Sequence, residues 1–535
     1  MKRSPADIRA ELGHPVIDGD GHWLEPIPVF LEHLRDVGGA RAVDDLRALW
    51  RRNDEWYRSD WQQRHHKRLR RAIWWGVTAN TRDKATALLP ALLNERLPEL
   101  GIDFAIIYPS FGLTINSIPQ DELHGHAARA YNRMTAEMFA PYRSRFAPAA
   151  IVPARTPAQA IAELDYAAGE LAYRVIMLRG NQERAIPAAA EGIDAQKAAW
   201  YCDNIALDSP YDYEPFWKRC EELGVAVTQH AGSPRWPDRA SISNFTYNHV
   251  GHFAEANHAF ARGVFLGGLV RRHPRLNFGF MEGGVSWACQ LYLDMIEHWE
   301  KRRRVGLQYP DTTDVTELQR LIRGYGDERL KASADAIMRS LDAFRPECSL
   351  EELSRPEHVH DDFDAAGIDS KEDVRSAFDH YYFGCEADDR ATMWAFDQRL
   401  GARLHPVFSS DFTHFDVPDF GEVMPEAYEM LERGFMSAQD FREFTFVNAA
   451  RLHTRNNPGF FAGTVLERAV AEELGLNRAC DRGDGRDHGR GDGACHSCRE
   501  DAHAPRHRHH RPLVSAVPLR GLSFPLASPD RECGR

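Results

Sequence analysis

The sequence predicts an α/β protein, a closed (β/α)8 barrel of the TIM type with helical insertions and a disordered C-terminal tail. The composition of the 535 residues, 43% hydrophobic and 27% charged with 12 Trp and 28 Phe, is typical of a globular chain with a large core. Between residues 14 and 412, short apolar runs alternate with stretches of helical periodicity, as in repeated βα units. No Walker loop or G-x-G-x-x-G segment follows any of these runs, which disfavours a nucleotide-binding sheet.

Eight of the runs are rich in Val, Ile, Phe and Tyr, and Gly, Pro or charged residues bound each of them. They are Val16–Asp20, Asp103–Pro109, Phe146–Pro153, Arg174–Arg179, Val225–His230, Asn277–Glu282, His380–Glu386 and Pro406–Asp411. Eight βα units are the number that closes a barrel, and an open doubly wound sheet is the alternative.

One barrel domain is expected to occupy residues 1–477, because no composition shift divides it. Two stretches, 31–100 and 300–378, exceed ordinary loop lengths and are predicted to be inserted helices that form lids or pocket walls. The last segment, 478–535, contains 11 Arg, no Lys and a single aromatic residue. Such a segment buries too little apolar surface to offset the entropy of ordering, so it is predicted to be a disordered tail.

The charge and cysteine content exclude several classes of protein. A formal net charge of −13 disfavours a nucleic-acid binder. Nine scattered cysteines do not form a disulfide framework in a chain of this length. No apolar run approaches the roughly 18 residues of a membrane span, and the first residues lack the apolar stretch of a signal peptide. A cytoplasmic enzyme without membrane or nucleic-acid partners is the expectation.

The first predicted strand carries two aspartates and a histidine at alternate positions. Side chains alternate along a strand, so Asp18, Asp20 and His22 are expected on one face, with Gly19 and Gly21 on the other. In a barrel that face is the interior, where unpaired acids are costly, and a bound cation accounts for them. A solvated strand end is an equally good interpretation of this stretch alone.

Two other strands end in residues of the same chemistry. His230 closes the fifth strand, where a lone histidine is more often structural, and Asp411 closes the eighth, where a lone aspartate can cap the next helix. Together with Asp20 and His22 they form a nitrogen and oxygen ligand set suited to Zn²⁺ or Mn²⁺. The sequence therefore predicts one metal site at the barrel mouth.

These motifs resemble the amidohydrolase-2 family, which includes aminocarboxymuconate semialdehyde decarboxylase and γ-resorcylate decarboxylase. The resemblance rests on Asp-x-His in the first strand, His-x-Gly after the fifth and Ser-Ser-Asp-Phe-Thr-His after the eighth. It extends over most of residues 14–460. The further shared segments are Tyr108-Pro109-Ser110, Ala130-Tyr131-Asn132-Arg133, Ala140-Pro141-Tyr142, Leu178-Arg179-Gly180, Arg272-His273-Pro274-Arg275-Leu276 and Asn448-Ala449-Ala450-Arg451-Leu452.

The resemblance implies a TIM-like barrel with one divalent metal ion, Zn²⁺ or Mn²⁺, at the positions matching Asp20, His22, His230 and Asp411. Relatives commonly have His-Gly-Gly after the sixth strand, whereas this chain has Glu282 before its two glycines. Glu282 can replace the histidine as a proton carrier if burial raises its pKa, or it can bind or orient a ligand of the metal.

Two further side chains are candidates for the chemistry. Of His249, His252 and His258, which follow the fifth strand, we favour His252 as a catalytic residue. Arg179, at the end of the fourth strand, can clamp a substrate carboxylate through both of its terminal nitrogens, and a surface ion pair with an acid is the alternative.

The resemblance leaves two enzymatic reactions open. In a non-oxidative decarboxylase, protonated Asp411 donates a proton to a small aromatic or dienoic carboxylic acid before CO2 leaves. In a hydrolase, a metal-activated water attacks an ester, lactone, amide or C–C bond, and Asp411 or Glu282 takes the proton. We favour the decarboxylase. A catalytically inactive binding barrel is a third candidate, and the family also makes a homodimer a candidate assembly.

Overall fold

The computed structural model describes residues 3–72, 79–186, 200–302, 314–340 and 362–476. Its strands are β1 (Ile17–Trp23), β2 (Phe104–Pro109), β3 (Phe146–Ile151), β4 (Val175–Leu178), β5 (Asn181–Ala185), β6 (Trp200–Asn204), β7 (Ala226–Gln229), β8 (Phe278–Phe280), β9 (Tyr381–Glu386) and β10 (His405–Ser409). The predicted tail, 478–535, lies outside the described residues.

Eight of the strands form one parallel sheet in the order β1-β2-β3-β4-β7-β8-β9-β10. This is the order of the chain, as a (β/α)8 barrel requires. All eight predicted runs are therefore confirmed as barrel strands. Strands β5 and β6 were not predicted, and they pair antiparallel as a separate hairpin.

Helices follow the barrel strands and cover the outside of the sheet. In chain order they are α1 (Pro5–Glu11), α2 (Ile27–Asn53), α3 (Glu55–Arg58), α4 (Trp61–Lys67), α5 (Thr81–Leu88), α6 (Pro90–Arg96), α7 (Asp121–Phe139), α8 (Pro157–Gly169), α9 (Glu214–Leu223), α10 (Phe245–His249), α11 (His252–Leu266), α12 (Leu269–Arg272), α13 (Ser286–Arg302), α14 (Val315–Tyr325), α15 (Glu328–Ala332), α16 (Ala334–Ser340), α17 (Asp362–Ala366), α18 (Lys371–Phe378), α19 (Val423–Glu432), α20 (Ala438–Arg442), α21 (Asn448–Thr454) and α22 (Glu467–Leu474). None of these described helices is both long and apolar enough to cross a membrane.

The local sequence explains where the outer helices begin and end. Thr156 precedes α8, and its hydroxyl accepts a hydrogen bond from the Gln159 N–H, while Pro157 occupies the first turn. Helix α9 ends at Gly224, whose φ of 63° is the left-handed conformation that glycine adopts without strain. Helices α3 to α6 and α14 to α18 fall in the two predicted insertions, and α2 begins at Ile27, just before the first of them.

The first and last strands lie against each other and close the barrel. A Cβ atom added at Gly19 would lie 2.1 Å from Cγ1 of Val407 in β10, so only glycine permits this approach. Across the same seam, the Ser410 N–H and hydroxyl donate to Asp18 at 3.0 and 2.6 Å. The seam therefore fixes the loop after β10 relative to β1.

Replacing Gly19 by alanine is expected to lower the free energy of unfolding by roughly 1–3 kcal/mol, because the new methyl group overlaps a fully buried side chain. Urea denaturation of both proteins measures this change. Gly169→Ala is the matched control, since its added Cβ meets nothing within 4 Å. Equal losses in the two variants would contradict the assigned contact.

Candidate metal centre

Four of the predicted site residues converge at the carboxyl ends of the barrel strands. Asp20 and His22 come from β1, His230 directly follows β7, and Asp411 follows β10. All four are buried, with 0–3% of their surface exposed. The fold thus places together side chains that are up to 391 positions apart in the sequence.

The ligand atoms of these residues face one another. His230 Nε2 lies 3.2 Å from Asp20 Oδ1 and 3.2 Å from His22 Nε2, and His22 Nε2 lies 3.5 Å from Asp20 Oδ1. Asp411 Oδ1 is 3.9 Å from His22 Nε2. Ligand bonds of about 2.0–2.2 Å around one ion put neighbouring ligand atoms about 3.0–3.6 Å apart. Asp20, His22 and His230 match this spacing, and Asp411 lies at its edge.

Two observations on the buried atoms fit a divalent ion. Neither carboxylate oxygen of Asp411 has a hydrogen-bond partner among the described residues, although both are inaccessible to solvent. His22 donates its Nδ1–H to the carbonyl oxygen of Pro109 at 2.9 Å, which leaves Nε2 directed at the cluster. This second contact is the usual way that a protein fixes a ligating imidazole. The donor set suits Zn²⁺ or Mn²⁺.

His414, the last residue of the Ser-Ser-Asp-Phe-Thr-His segment, is a further component of the cluster. It is 2% exposed, and it forms with His22 and Asp411 a second group of three side chains whose ligand atoms lie within 4.8 Å of one another. Its Nδ1 lies 3.1 Å from Glu282 Oε1. Its position three residues after Asp411, within that segment, is the sequence signal that indicated it.

Glu282 lies at the edge of the cluster, as expected from its place directly after the sixth barrel strand. Its Oε2 lies 3.5 Å from His230 Nε2. Burial, and then the nearby carboxylate of Asp20, raises the pKa of Glu282 to about 8. Glu282 and Asp411 both have a left-handed backbone, with φ of 55° and 47°. Strained backbone of this kind is concentrated at functional sites.

The protonation states follow from burial in a crowded cluster. Burial and the carboxylates of Glu282 and Asp20 hold the pKa of Asp411 well above its usual range. Burial, with the neighbouring His414, lowers the pKa of His22 to about 4. Without a cation, the site therefore favours a protonated carboxyl group on Asp411 and a neutral imidazole on His22, the forms suited to proton donation and to metal ligation.

Asp18 departs from the predicted pattern of the first strand. The pairing of β1 with β2 shifts register between Asp18 and Gly21, so the strict alternation of side chains ends there. The Asp18 carboxylate accepts hydrogen bonds from Ser410 rather than facing His230. The expectation that Asp18 shares the face of Asp20 and His22 is wrong for this reason, and Asp18 instead holds the loop that carries Asp411.

His252 lies beside the metal cluster. It is 5% exposed, burial lowers its pKa well below the usual range, and neither ring nitrogen has a hydrogen-bond partner among the described residues. It lines a cavity of about 550 Å³ together with His249 and Glu282. His258, in contrast, is absent from that lining and lies near Trp287.

Arg179 is buried directly after β4, and its guanidinium group already forms an ion pair with an acidic side chain. Its Nη2 donates to Glu183 Oε1 at 2.8 Å, and Nη1 lies 3.4 Å from the Ser117 hydroxyl. Arg235 contacts the same glutamate at 3.0 Å. A substrate carboxylate would have to displace Glu183 to form the predicted clamp.

A comparison with known protein families finds the family that the sequence motifs resemble. The model of the amidohydrolase family matches residues 120–347, a range that contains the barrel strands β3, β4, β7 and β8. The family resemblance stated from the sequence is thereby confirmed. No curated protein matches the chain.

Several solved structures are similar over most of the chain. A 2,6-dihydroxybenzoate decarboxylase from Rhizobium is 16% identical, with 82% of this chain and 98% of that chain covered and a TM-score of 0.44. A dihydroxybenzoic acid decarboxylase from Polaromonas sp. JS666, with bound manganese and the inhibitor 2-nitroresorcinol, is 15% identical, with 84% and 99% covered and a TM-score of 0.46. A 4-oxalomesaconate hydratase from Rhodopseudomonas palustris is 14% identical, with 86% and 99% covered and a TM-score of 0.43.

Proposed function

We propose that this chain is an enzyme of the amidohydrolase family and acts as a metal-dependent non-oxidative decarboxylase of a small aromatic or dienoic carboxylic acid. The observation that carries the proposal is the convergence of Asp20, His22, His230 and Asp411 in a buried cluster beside a cavity of about 550 Å³. A cavity of this size suits a small organic ligand. The motifs that resemble a decarboxylase-containing family support the choice of reaction.

Asp20, His22, His230 and Asp411 would hold the ion, Zn²⁺ or Mn²⁺. When bound, the ion supplies Lewis-acid polarisation of substrate oxygens. The protein side chains provide the remaining functions. Pro109 fixes the ring of His22 through its Nδ1–H, and the hydrogen bonds from Ser410 to Asp18 hold the loop of Asp411 in place.

The carboxyl groups at the cavity supply the proton that decarboxylation consumes. Asp411 or Glu282 transfers its proton to the ring or enol carbon that bears the substrate carboxylate. The carbon–carbon bond then breaks, its electron pair returns to the π system, and CO2 leaves. The reaction needs no oxidant or reductant. Arg179 is the proposed contact for a substrate carboxylate, and His252 is the proposed uncharged group beside the reacting carbon.

Hydrolysis is the second candidate, and the charge of the cavity favours it. Carboxylates line much of the cavity beside Glu282, and a free substrate carboxylate is repelled there. An ester, lactone or amide lacks that charge. In this reaction Asp411 or Glu282 accepts the proton of the attacking water.

The predicted homodimer and cytoplasmic location stay predictions.

Purified protein is expected to contain about one divalent ion per chain, and His230→Ala is expected to lose most of it, because one of the converging ligands is removed. Elemental analysis of the two proteins measures the difference. His298→Ala, on an exposed helix position, is the matched control. A metal-free wild-type protein that retains full activity would overturn the metal-dependent assignment.

Incubation with a panel of hydroxybenzoates and a panel of esters and lactones separates the two reactions. Release of CO2 without oxygen or a redox cofactor is the result expected for the decarboxylase. Production of carboxylate alone would replace that proposal with hydrolysis. Metal binding without turnover of either panel would support a binding barrel.

A further inference from the structure

The cavity beside the metal cluster has a wall of carboxylates. The ends of β8, β9 and β10 provide it, and we call it the acidic wall. In the cavity of about 550 Å³ its members are Glu282, Glu386, Asp388, Asp389 and Asp416. A neighbouring cavity of about 230 Å³ shares three of them and adds Asp411, Asp419, Glu422 and Glu426.

Positive charge is scarce along the acidic wall. Arg390 is the one lysine or arginine among the described residues that line the larger cavity, and the described lining of the smaller cavity contains none. No described lysine or arginine lies within 4.0 Å of the carboxylates of Glu386, Asp388 or Asp416. Glu183, on the opposite side of the mouth, differs, since it pairs with two arginines.

Two buried polar side chains line these cavities in addition to the acids. His252 is 5% exposed in the larger cavity, and neither of its ring nitrogens has a hydrogen-bond partner among the described residues. Ser409 is 1% exposed in the smaller cavity, and its hydroxyl likewise has no partner there. Buried polar groups are nearly always hydrogen-bonded, so these two side chains, one in each cavity, leave hydrogen-bonding capacity for a polar ligand.

A second metal ion is a poorer occupant than an organic cation. Among the described residues, the only groups of three or more His, Cys, Asp or Glu side chains close enough to hold an ion are the two at the metal cluster. The acidic wall is spread around a cavity large enough for part of a small molecule. Carboxylates so arranged concentrate a cation electrostatically without forming a compact coordination sphere.

We propose that the substrate carries a positively charged nitrogen group, such as an ammonium or a guanidinium, which lies against Glu386, Asp388 and Asp416 while the reacting group lies at the metal cluster. The proposal rests on the proposed function, because it names the substrate class of that site. The Ser409 hydroxyl accepts a hydrogen bond from the nitrogen group, and His252 bonds to the part of the substrate nearer the metal cluster. In the decarboxylase, the substrate is therefore a zwitterionic acid rather than a simple one.

The test is a binding titration of the metal-loaded enzyme with three probes of similar size, benzylammonium, benzyl alcohol and benzoate. Benzylammonium is expected to bind at least about tenfold more tightly than benzyl alcohol, since several exposed ion pairs, each weak alone, act together. Raising the salt concentration is expected to weaken the binding of benzylammonium more than the binding of benzyl alcohol. Equal binding, a preference for benzoate, or no measurable binding of any probe overturns the proposal.

Charge-neutral variants locate the contact. Glu386→Gln and Asp388→Asn are each expected to lower the affinity for benzylammonium by about two- to fivefold and to leave the affinity for benzyl alcohol unchanged. Asp165→Asn, in a surface ion pair on α8, is the matched control. Two variants at exposed positions keep the test independent of any one folding defect. An unchanged affinity in both would overturn the assignment to the acidic wall.

The outcome is distinguishable from failure of the proposed reaction. If no substrate releases CO2 but benzylammonium is preferred, the decarboxylase is wrong and the cation preference stands. If CO2 is released from simple hydroxybenzoates and the probes bind without charge preference, the reaction stands and the cation inference is wrong.

Discussion

Asp411→Asn is expected to reduce turnover by roughly a thousandfold while changing the melting temperature little. Asparagine has nearly the same volume as aspartate and tolerates the left-handed backbone, φ 47°, at this position. It has no acidic proton to donate and no charge to place at the cluster, 3.9 Å from His22 Nε2. General acid–base groups contribute about 10² to 10⁴ in rate, and loss of a metal-facing carboxylate adds to this. Steady-state kinetics measure the change, with a hydroxybenzoate, ester or lactone that the wild-type protein converts as the substrate.

Two controls separate the role of Asp411 from general damage. Asp165→Asn makes the same chemical change at a surface ion pair with Arg219, and its turnover is expected to equal that of the wild type. Elemental analysis of Asp411→Asn then distinguishes a lost ligand from a lost acid, because an amide oxygen can still bind a metal while it cannot donate the proton. Turnover within tenfold of the wild type would contradict a catalytic role.

The barrel was predictable because its signals are local. Each barrel strand is a short apolar run ended by Gly, Pro or a charged residue, and the structure shortens most of the predicted runs by one or two residues at an end. In the case of β1, the strand instead extends to Trp23, past the predicted end at Asp20. The β5–β6 hairpin was not predictable in the same way, because β5 is mostly polar and neither strand has a regular alternation of apolar and polar residues.

The candidate site was predictable only in part, since several contacts depend on three-dimensional packing. The ligand set followed from where the strands end, but the register shift at Asp18 has no sequence signal beyond the two glycines around it. The partner of Arg179 is Glu183, four residues along the chain but on a hairpin that was not foreseen. The acidic wall combines loops after three strands, and each acid alone is unremarkable in sequence.

The second large effect is expected at a buried ion pair that anchors the insertion before β2 to the loop after β10. Arg96, at the end of α6, donates from Nη1 to Asp83 Oδ1 in α5 at 2.7 Å, and both side chains are at most 6% exposed. The other oxygen of Asp83 accepts the Phe420 N–H at 3.1 Å. Phe420 stacks on Phe412, the residue next to Asp411, with ring centroids 4.4 Å apart.

Asp83→Ala is therefore expected to lower the free energy of unfolding by about 3–5 kcal/mol, because it leaves the Arg96 guanidinium buried with the neutral Thr86 hydroxyl and a long contact to Glu99, at 3.4 Å. Urea denaturation measures the loss. The double variant Asp83→Leu/Arg96→Met removes both charges with apolar groups of similar size, so most of the stability is expected to return. A double variant as unstable as Asp83→Ala would show that the ion pair is not the cause.

The same pair of variants tests whether the anchor serves the site. Neither restores the acceptor for the Phe420 N–H, so the loop from Asp411 to Phe420 loses a fixed contact in both. If that contact positions Asp411, the double variant is stable but turns over more slowly than the wild type, and its metal content is unchanged. Full activity in the stable double variant would restrict the role of Asp83 to holding the inserted helices on the barrel.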